Sequence, residues 1–456
     1  MDFERQERMK ESRRSRNDGF PSDFIWGCST ASFQIEGSTG ADGRGDSIWD
    51  RFSRIPGKVY GGMTGDFACD SYRRWKDDVE LLKGLGVDAY RYSIAWPRIQ
   101  PKGSGKALQA GLDYYKRLGD ALAEEGIESA VTLYHWDLPQ ALEDKGGWPN
   151  RDTALRFAEF TDIVCRALGD RVGRWFTLNE PWCSAFLGYA AGVHAPGRRD
   201  KTDAYKAAHH LLLAHGLAVK AYRTTGLGAP MGIVLNTVTP RPATRRAQDI
   251  AAAERASDQG TALWLDPIYG RGYPERHLAA QGVSMPLLPG DMETIASPID
   301  FLGINYYSER PMRADPESLE GFIEAPSWQD KTDMGWDIVP EGLSRMLRTI
   351  AGRWPVKALF ITENGAAFTD AIDAAGRIRD RERIAYLRSH IAACRSAIAD
   401  GVPLKGYFVW SLMDNFEWAH GYSKRFGLVR VDPATGSRKP KDSYYFYRDF
   451  IAGMEP

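Results

Sequence analysis

The sequence predicts an α/β protein, a single (β/α)₈ TIM barrel with extended βα loops that form the active-site face. Three observations lead to this fold class. Eight short apolar runs recur along the 456 residues, longer segments with helical patterning separate them, and polar or aromatic residues follow most of the runs. No long Gly/Ser-rich or Pro-rich linker divides the chain, and one barrel with insertions can exceed ~400 residues, so one large domain is expected.

The eight apolar runs are the predicted strands. Most of them are continuous rather than alternating in polarity, which is typical of parallel strands buried on both faces. In chain order they cover residues 24–30, 89–94, 130–134, 175–178, 231–235, 301–304, 358–362 and 407–410.

The segments between the runs have the 3.6-residue period of amphipathic helices, as in residues 73–85, 112–123 and 383–399. Strands that alternate with helices form a parallel sheet, which is either closed into a barrel or open and doubly wound. The open sheet needs a phosphate-binding loop. No G-x-G-x-x-G follows the first run, and residues 103–106 lack the rest of a P-loop and predict a turn.

Charge and cysteine content exclude several classes of protein. The chain has 59 Lys and Arg against 60 Asp and Glu, a balance that argues against a surface for nucleic acid or anionic membranes. No segment has the ~18–20 apolar residues needed to cross a bilayer. The five cysteines are scattered, without metal-ligand spacing, and predict a reduced, cytoplasmic protein.

The N-terminal segment differs in composition from the rest of the chain. Residues 1–18 are dense in charged side chains and contain no apolar stretch of the kind found in a signal peptide. We expect residues 1–18 to be a mobile charged tail and residues 19–456 to form the barrel domain.

Polar side chains at the ends of the runs predict the functional site. All strands of a barrel open their carboxyl ends on one face, and that face carries the active site. Amides, His and carboxylates bind hydroxyl groups and aromatic faces stack on sugar C–H surfaces, so the set predicts a sugar site. The strand-end candidates are Gln34, Arg91, His135, Trp136, Asn179, Glu180, Asn305, Tyr307, Glu363, Trp410, Glu417 and Trp418.

Each candidate alone has an ordinary structural explanation, since an isolated Glu is usually a surface residue and a lone His or Trp usually belongs to the core.

A metal-dependent hydrolase is a second alternative, because His209, His210 and His215 lie on one predicted helix. They offer no i,i+4 pair and no H-E-x-x-H motif, so we interpret them as helix surface and packing. Neither a metal nor another cofactor is predicted.

Five motifs in order resemble those of glycoside hydrolase family 1, the β-glucosidase family. They are FIWG (24–27) with QIEG (34–37), YHWDLP (134–139), TLNEP (177–181), ITENG (361–365) and WSLMDNFEW (410–418). One four-residue piece carries little weight, but five in the family's order over about residues 20–450 are specific.

The resemblance implies a (β/α)₈ barrel and a retaining β-glycosidase, foremost a β-glucosidase acting on β-glucosides or cello-oligosaccharides. Glu180 would be the acid/base and Glu363 the nucleophile, with Arg91 and Tyr307 beside it. An oligomer is possible. The residues that would bind the substrate are Gln34, His135, Trp136, Asn179, Asn305, Trp336, Trp410, Glu417, Trp418 and Phe426.

The chemistry sets opposite demands on the two acids. A retaining enzyme needs its carboxyl groups ~5–5.5 Å apart, whereas an inverting one, the alternative, needs ~6.5–9.5 Å. Glu363 must be ionised, and we expect Arg91 to lower its pKa. Glu180 must start protonated, and the charge on Glu363 should raise its pKa. A catalytically dead relative would lack one of these acids.

Glu417 and Trp418 limit the sugar. By the resemblance, relatives that act on 6-phosphorylated sugars replace this pair, and a carboxylate here would repel phosphate. An unphosphorylated glycone is therefore expected. Broad β-galactosidase or β-fucosidase activity and, as a remoter alternative, a 6-phospho-β-glycosidase remain open.

Overall fold

Eight parallel strands close into a barrel in the computed structural model, which describes residues 19–318 and 320–454. The first strand pairs with both the second and the eighth, so the sheet has no free edge and is not doubly wound. The eight predicted runs are confirmed as strands, and the predicted tail, residues 1–18, lies outside the described residues. The barrel strands are Ile25–Ser29, Ala89–Ser93, Glu128–Tyr134, Arg174–Asn179, Met231–Leu235, Phe301–Asn305, Leu359–Asn364 and Leu404–Trp410.

Helices connect the strands and pack around the barrel. The three predicted helices are confirmed, each beginning a few residues earlier than its apolar pattern. The α-helices are Ser32–Ile35, Ile48–Ser53, Ser71–Leu85, Trp96–Ile99, Gln109–Glu124, Gln140–Glu143, Asp152–Leu168, Lys201–Thr224, Ala247–Ser257, Leu263–Ile268, Glu275–Gln281, Asp291–Ile295, Pro340–Arg353, Arg381–Ala399 and Asp442–Ile451. Among the described residues no helix combines the length and apolar character needed to cross a membrane.

An apolar plug fills the barrel beneath the strand ends. It consists of one inward-facing side chain from each of seven strands. The rings of Phe176, Phe301 and Phe360 meet edge to face, with centroids 5.1 and 5.3 Å apart. The guanidinium of Arg91 lies 5.4 Å above the ring of Phe176. This plug is the floor on which the polar residues of the site rest.

Long loops after the strands build the walls above this floor. The loop after the sixth strand contains a hairpin of strands Met312–Ala314 and Phe322–Glu324. The segment after the eighth strand contains a 3₁₀ turn at Trp418–His420 and a second hairpin, Val429–Val431 with Arg438–Pro440. A π-helix, Cys183–Ala191, follows the fourth strand. These insertions extend the barrel on the side of the carboxyl strand ends.

A buried ionic cluster fixes the wall that follows the eighth strand. The ammonium of Lys441 contacts the carboxylates of Asp370 and Asp414, at 2.7 Å for Asp414. Arg383 pairs with Asp370 at 3.1 Å, and Asp414 also accepts the amide hydrogen of Gly427. All four charged side chains are buried. Through Lys441, the cluster therefore links the C-terminal segment to the loops that contain Asp370 and Asp414.

Candidate active site

A cavity of about 620 Å³ opens at the carboxyl ends of the strands. Fourteen residues were predicted for the site, and eleven of them line this cavity: His135, Trp136, Glu180, Asn305, Tyr307, Trp336, Glu363, Trp410, Glu417, Trp418 and Phe426. The other three, Gln34, Arg91 and Asn179, are buried and hydrogen-bond to residues of the lining. The structure thus brings the whole predicted set together.

Glu363 is held at both carboxylate oxygens. Arg91 donates to Oε1 at 2.6 Å, and the phenol of Tyr307 donates to Oε2 at 2.6 Å. Burial raises the pKa of Glu363, while Arg91 and Tyr307 act against that rise. The expected lowering by Arg91 is confirmed as a contribution, but removal from water outweighs it, so the net shift is upward. The cation nevertheless favours the ionised form.

Arg91 connects the two acids. Its side chain is fully buried and donates from Nη2 to Asn179 Oδ1 at 2.7 Å and from Nε to Thr132 Oγ1 at 3.1 Å. Asn179 directly precedes Glu180. One guanidinium therefore holds both the carboxylate of Glu363, near the end of the seventh strand, and the amide of Asn179 beside Glu180.

Glu180 has a different environment. Asn305 Nδ2 donates to its Oε1 at 2.7 Å, and Cys183 Sγ donates to its Oε2 at 3.1 Å. Burial, reinforced by the nearby charge of Glu363, raises the pKa of Glu180 to about 7. The predicted direction for this acid is confirmed. An amide and a thiol stabilise a carboxylate less than a guanidinium does, so Glu180 is the acid that keeps its proton.

Three residues of the site have left-handed backbone conformations. Trp136, Glu180 and Trp418 have φ angles of 76°, 45° and 48°. Residues other than glycine rarely adopt this region, and each instance costs about 1–3 kcal/mol. These backbone conformations set the direction in which the three side chains point from the loops above the barrel.

A chain of amides determines the hydrogen-bonding state of His135. Asn179 Oδ1 accepts from Arg91 and Asn305, so its Nδ2 faces His135 Nε2 at 3.0 Å. Nε2 must accept this bond, which assigns the ring hydrogen to Nδ1. Burial lowers the pKa of His135 well below its ordinary value. The ring is therefore neutral, and its buried Nδ1 has no protein partner.

Glu417 differs from expectation in its charge. Its Oε2 accepts from Gln34 Nε2 at 3.4 Å, while the buried Oε1 of Gln34 has no protein partner. Burial and, to a smaller extent, the charges of Glu363 and Glu180 raise the pKa of Glu417 to about 8. Glu417 is therefore protonated in the free protein near neutral pH and does not repel phosphate by charge there.

Aromatic rings form two walls of the cavity. On one side Trp418 packs against Trp136 and Trp49, with centroids 4.6 and 4.7 Å apart. On the other side Trp336 packs against Tyr307 and Phe426 at 5.4 and 6.1 Å. His135 stacks on Trp410 at 5.8 Å and Trp418 at 6.0 Å. The cavity therefore offers flat apolar surfaces around the two acids.

Sequence reasoning missed several lining residues. Asn236 and Thr237 directly follow the fifth strand, so the rule applied to the other strand ends would have found them. Cys183 lies three residues after Glu180 and was set aside with the other cysteines. Arg310 and Glu324, an ion pair at 2.8 Å, come from the loop after the sixth strand and carry no motif.

The histidines on helix Lys201–Thr224 are packing residues. His209, His210 and His215 are all buried, so the packing part of the interpretation is confirmed and the helix-surface part is wrong. His209 contacts Asp291 and Tyr273, and His215 contacts Thr177. Within the described parts of the chain, no group of three or more His, Cys, Asp or Glu residues could hold a metal ion.

Two buried carboxyl groups in different environments lie between aromatic walls at the carboxyl end of the barrel. This is the architecture of a glycoside hydrolase. The family model described as glycosyl hydrolase family 1 matches residues 16–455. The chain belongs to this family.

Relatives and solved structures of high similarity cover almost the whole chain. Beta-glucosidase A of Thermotoga maritima is 50% identical over 436 residues, 95% of this chain and 97% of the relative. The 1,4-beta-D-glucan glucohydrolase of Thermotoga neapolitana is 49% identical over 434 residues, covering 95% and 98%. The solved family 1 b-glucosidase of Thermotoga maritima superposes with a TM-score of 0.94 at 49% identity, covering 96% and 99%.

Proposed function

We propose that this protein is a retaining β-glucosidase in which Glu363 is the nucleophile and Glu180 the acid/base. The observation that carries the proposal is the unequal support of two acids in one cavity. Glu363 accepts from a guanidinium and a phenol, whereas Glu180 accepts from an amide and a thiol. The first environment favours a carboxylate and the second favours a carboxylic acid.

In the first step the carboxylate of Glu363 attacks the anomeric carbon and displaces the aglycone oxygen. Glu180 gives its proton to that oxygen as the bond breaks, so the aglycone leaves as a neutral alcohol. Tyr307 and Arg91 hold the attacking carboxylate in place. The product of this step is a glycosyl ester on Glu363, and Glu180 is now ionised.

In the second step Glu180 acts as the base. Esterification removes the charge of Glu363, which had raised the pKa of Glu180, so Glu180 is then more readily ionised. It takes a proton from water, and the water oxygen attacks the anomeric carbon to release Glu363. Two inversions give a β-configured sugar, and both acids return to their starting states.

Unpartnered polar atoms support a sugar in the inner part of the cavity. His135 Nδ1 and Gln34 Oε1 are buried without a protein partner, and such atoms cost free energy unless a ligand or water bonds them. We assign them to glycone hydroxyls, together with the protonated carboxyl of Glu417 and the amides of Asn179 and Asn305. Trp136, Trp410 and Trp418 would stack on the sugar.

The outer part of the cavity would take the leaving group. Trp336 and Phe426 would form its apolar wall. The name of the Thermotoga neapolitana relative, 1,4-beta-D-glucan glucohydrolase, supports β-glucosides and cello-oligosaccharides as substrates, consistent with a role in cellulose degradation.

All five cysteines are free and buried, which supports a cytoplasmic location. An unphosphorylated glycone stays a prediction.

The nucleophile is tested by chemical rescue. We expect Glu363→Gly to hydrolyse aryl β-glucosides at a negligible rate, and added azide to restore turnover with an α-configured glycosyl azide as product. Glu324→Gln is the matched control, because it removes another carboxylate at the cavity rim and should retain activity. Near-normal activity of Glu363→Gly without azide would contradict the nucleophile assignment.

The acid role is tested by the leaving group. Glu180→Gln should reduce kcat/KM far more for alkyl β-glucosides than for activated aryl ones, because only poor leaving groups need protonation. Equal losses would contradict the assignment. NMR of the first-formed anomer from the wild-type protein tests retention, and a panel of β-glucoside, galactoside, fucoside and 6-phosphoglucoside tests the sugar.

A further inference from the structure

Cys183 is the first residue of the π-helix Cys183–Ala191 and lies one turn after Glu180. It is the one cysteine among the residues that line the cavity, and its side chain is almost fully buried. Its side chain packs in the apolar core, and its thiol also contacts the proposed acid/base. This position differs from that of Cys165, which is buried in helix Asp152–Leu168.

Two contacts fix the direction of the thiol hydrogen. Asn236 Nδ2, at the end of the fifth strand, donates to Sγ of Cys183 at 3.4 Å. Sγ lies 3.1 Å from Glu180 Oε2. Because the amide hydrogen occupies a sulfur lone pair, the thiol hydrogen is directed to Glu180. Burial raises the pKa of Cys183 well above its ordinary value, so the sulfur keeps this hydrogen.

The two oxygens of Glu180 therefore differ. Asn305 Nδ2 donates to Oε1 at 2.7 Å and requires a lone pair there. Asn305 is the shorter and stronger of the two donors, so Oε1 takes the carbonyl role and the acidic proton belongs on Oε2, whose hydroxyl oxygen still accepts the thiol hydrogen. We propose that Cys183 is a positioning residue for proton transfer, whose thiol, oriented by Asn236, holds Oε2 of Glu180 while Asn305 holds Oε1. This inference rests on the proposed role of Glu180 as acid/base.

The thiol follows the charge of the carboxyl through both steps. When Glu180 gives the proton on Oε2 to the leaving oxygen, the O–H bond breaks and the S–H group donates to the new carboxylate. When Glu180 takes a proton from water, Oε2 becomes O–H again. The thiol hydrogen stays on sulfur throughout, so Cys183 is neither acid nor base and undergoes no net change.

A donor to the carboxylate favours its ionised form. Glu363, Arg91, Tyr307 and Glu417 also interact with Glu180, and Cys183→Ala removes none of these side chains. Loss of the thiol should therefore raise the pKa of Glu180 by itself. A weak donor to a charged group corresponds to a shift of about 0.5–1 pH unit.

The experiment compares pH profiles of Cys183→Ala, Cys183→Ser and wild type. For Cys183→Ala we expect the basic limb of kcat/KM, which reports Glu180 as acid, to move up by about 0.5–1 pH unit. The acid limb of kcat for an aryl glucoside limited by its second step, which reports Glu180 as base, should move up similarly. Cys183→Ser retains a donor, and both limbs should lie at or below their wild-type positions.

Cys165→Ala is the matched control. It removes an equally buried thiol remote from the cavity, so it should affect stability without moving either limb. If both limbs stay in place in Cys183→Ala while kcat falls uniformly, the side chain has only a packing role and the proposal is refuted. The proposal is also refuted if both limbs of Cys183→Ser shift to higher pH by as much as those of Cys183→Ala.

Infrared spectroscopy tests the contact without activity. The S–H stretching band that disappears in Cys183→Ala should shift as Glu180 titrates in the wild type and should stay constant in Glu180→Gln. If the frequency of this S–H band does not change with pH in the wild type, the proposal is refuted. Failure of the acid/base assignment is recognised separately, by the absence of leaving-group dependence in Glu180→Gln.

Discussion

Tyr307→Phe removes one of the two donors that hold Glu363 and leaves the ring in place. The phenol donates to Glu363 Oε2 at 2.6 Å, while Arg91 continues to hold Oε1. A hydrogen bond to a charged group contributes about 1.5–3 kcal/mol. If that contribution is made to the attacking carboxylate, kcat/KM should fall roughly 10- to 150-fold. The substitution should also raise the pKa of Glu363, so the acid limb of kcat/KM should move to higher pH.

Initial rates with an aryl β-glucoside across the pH range measure both effects. Tyr306→Phe is the matched control, because the phenol of Tyr306 donates to the backbone oxygen of Val339 instead of to the carboxylate of Glu363. That variant should lose about 0.5–1.5 kcal/mol of stability and keep its acid limb. The reasoning is refuted if Tyr307→Phe loses less than threefold in kcat/KM, or if both variants shift the limb equally.

Three further outcomes are expected. The kcat/KM of the wild type should decline as pH rises through about 7, because Glu180 must carry a proton, and a decline only above pH 9 would contradict that assignment. Glu417→Gln should retain kcat/KM within about tenfold at pH 6, because the acid it replaces is neutral there, whereas Glu417→Ala should lose roughly 100-fold. Lys441→Met should lower the free energy of unfolding in urea by about 3–5 kcal/mol, because it leaves the buried carboxylate of Asp414 without its salt-bridge partner. Arg166→Met, at an exposed pair, should lower it by less than about 1 kcal/mol.

The barrel was predictable because its pattern is local and repeated. Each strand is a short apolar run, and each helix has a period that a sequence displays directly. The structure extends the fourth strand to Asn179 and the sixth to Asn305, beyond the apolar residues. Hydrogen bonding to neighbouring strands continues past the last apolar side chain, and hydrophobicity does not report that.

The members of the site were predictable from their place at strand ends, but their protonation states were not. The pKa of Glu363 depends on a balance between burial and Arg91, and the pKa of Glu417 depends on burial together with two acids from distant strands. Neither degree of burial can be read from the motifs. Arg310 and Glu324 reach the cavity from the long loop after the sixth strand, whose path depends on tertiary packing, so no strand-end rule identifies them.

The left-handed backbone at Glu180 implies that this residue lowers the free energy of unfolding while it serves the reaction. The φ angle of 45° costs folding free energy, and so does an acid that is buried beside Glu363. Because folding raises the pKa of Glu180 to about 7, its electrostatic cost is absent at low pH and grows as pH rises to 7. At pH 8, Glu180→Ala should therefore melt above the wild type in calorimetry, and Glu180→Gly, which also relieves the backbone, higher still. The inactive enzyme would be the more durable one.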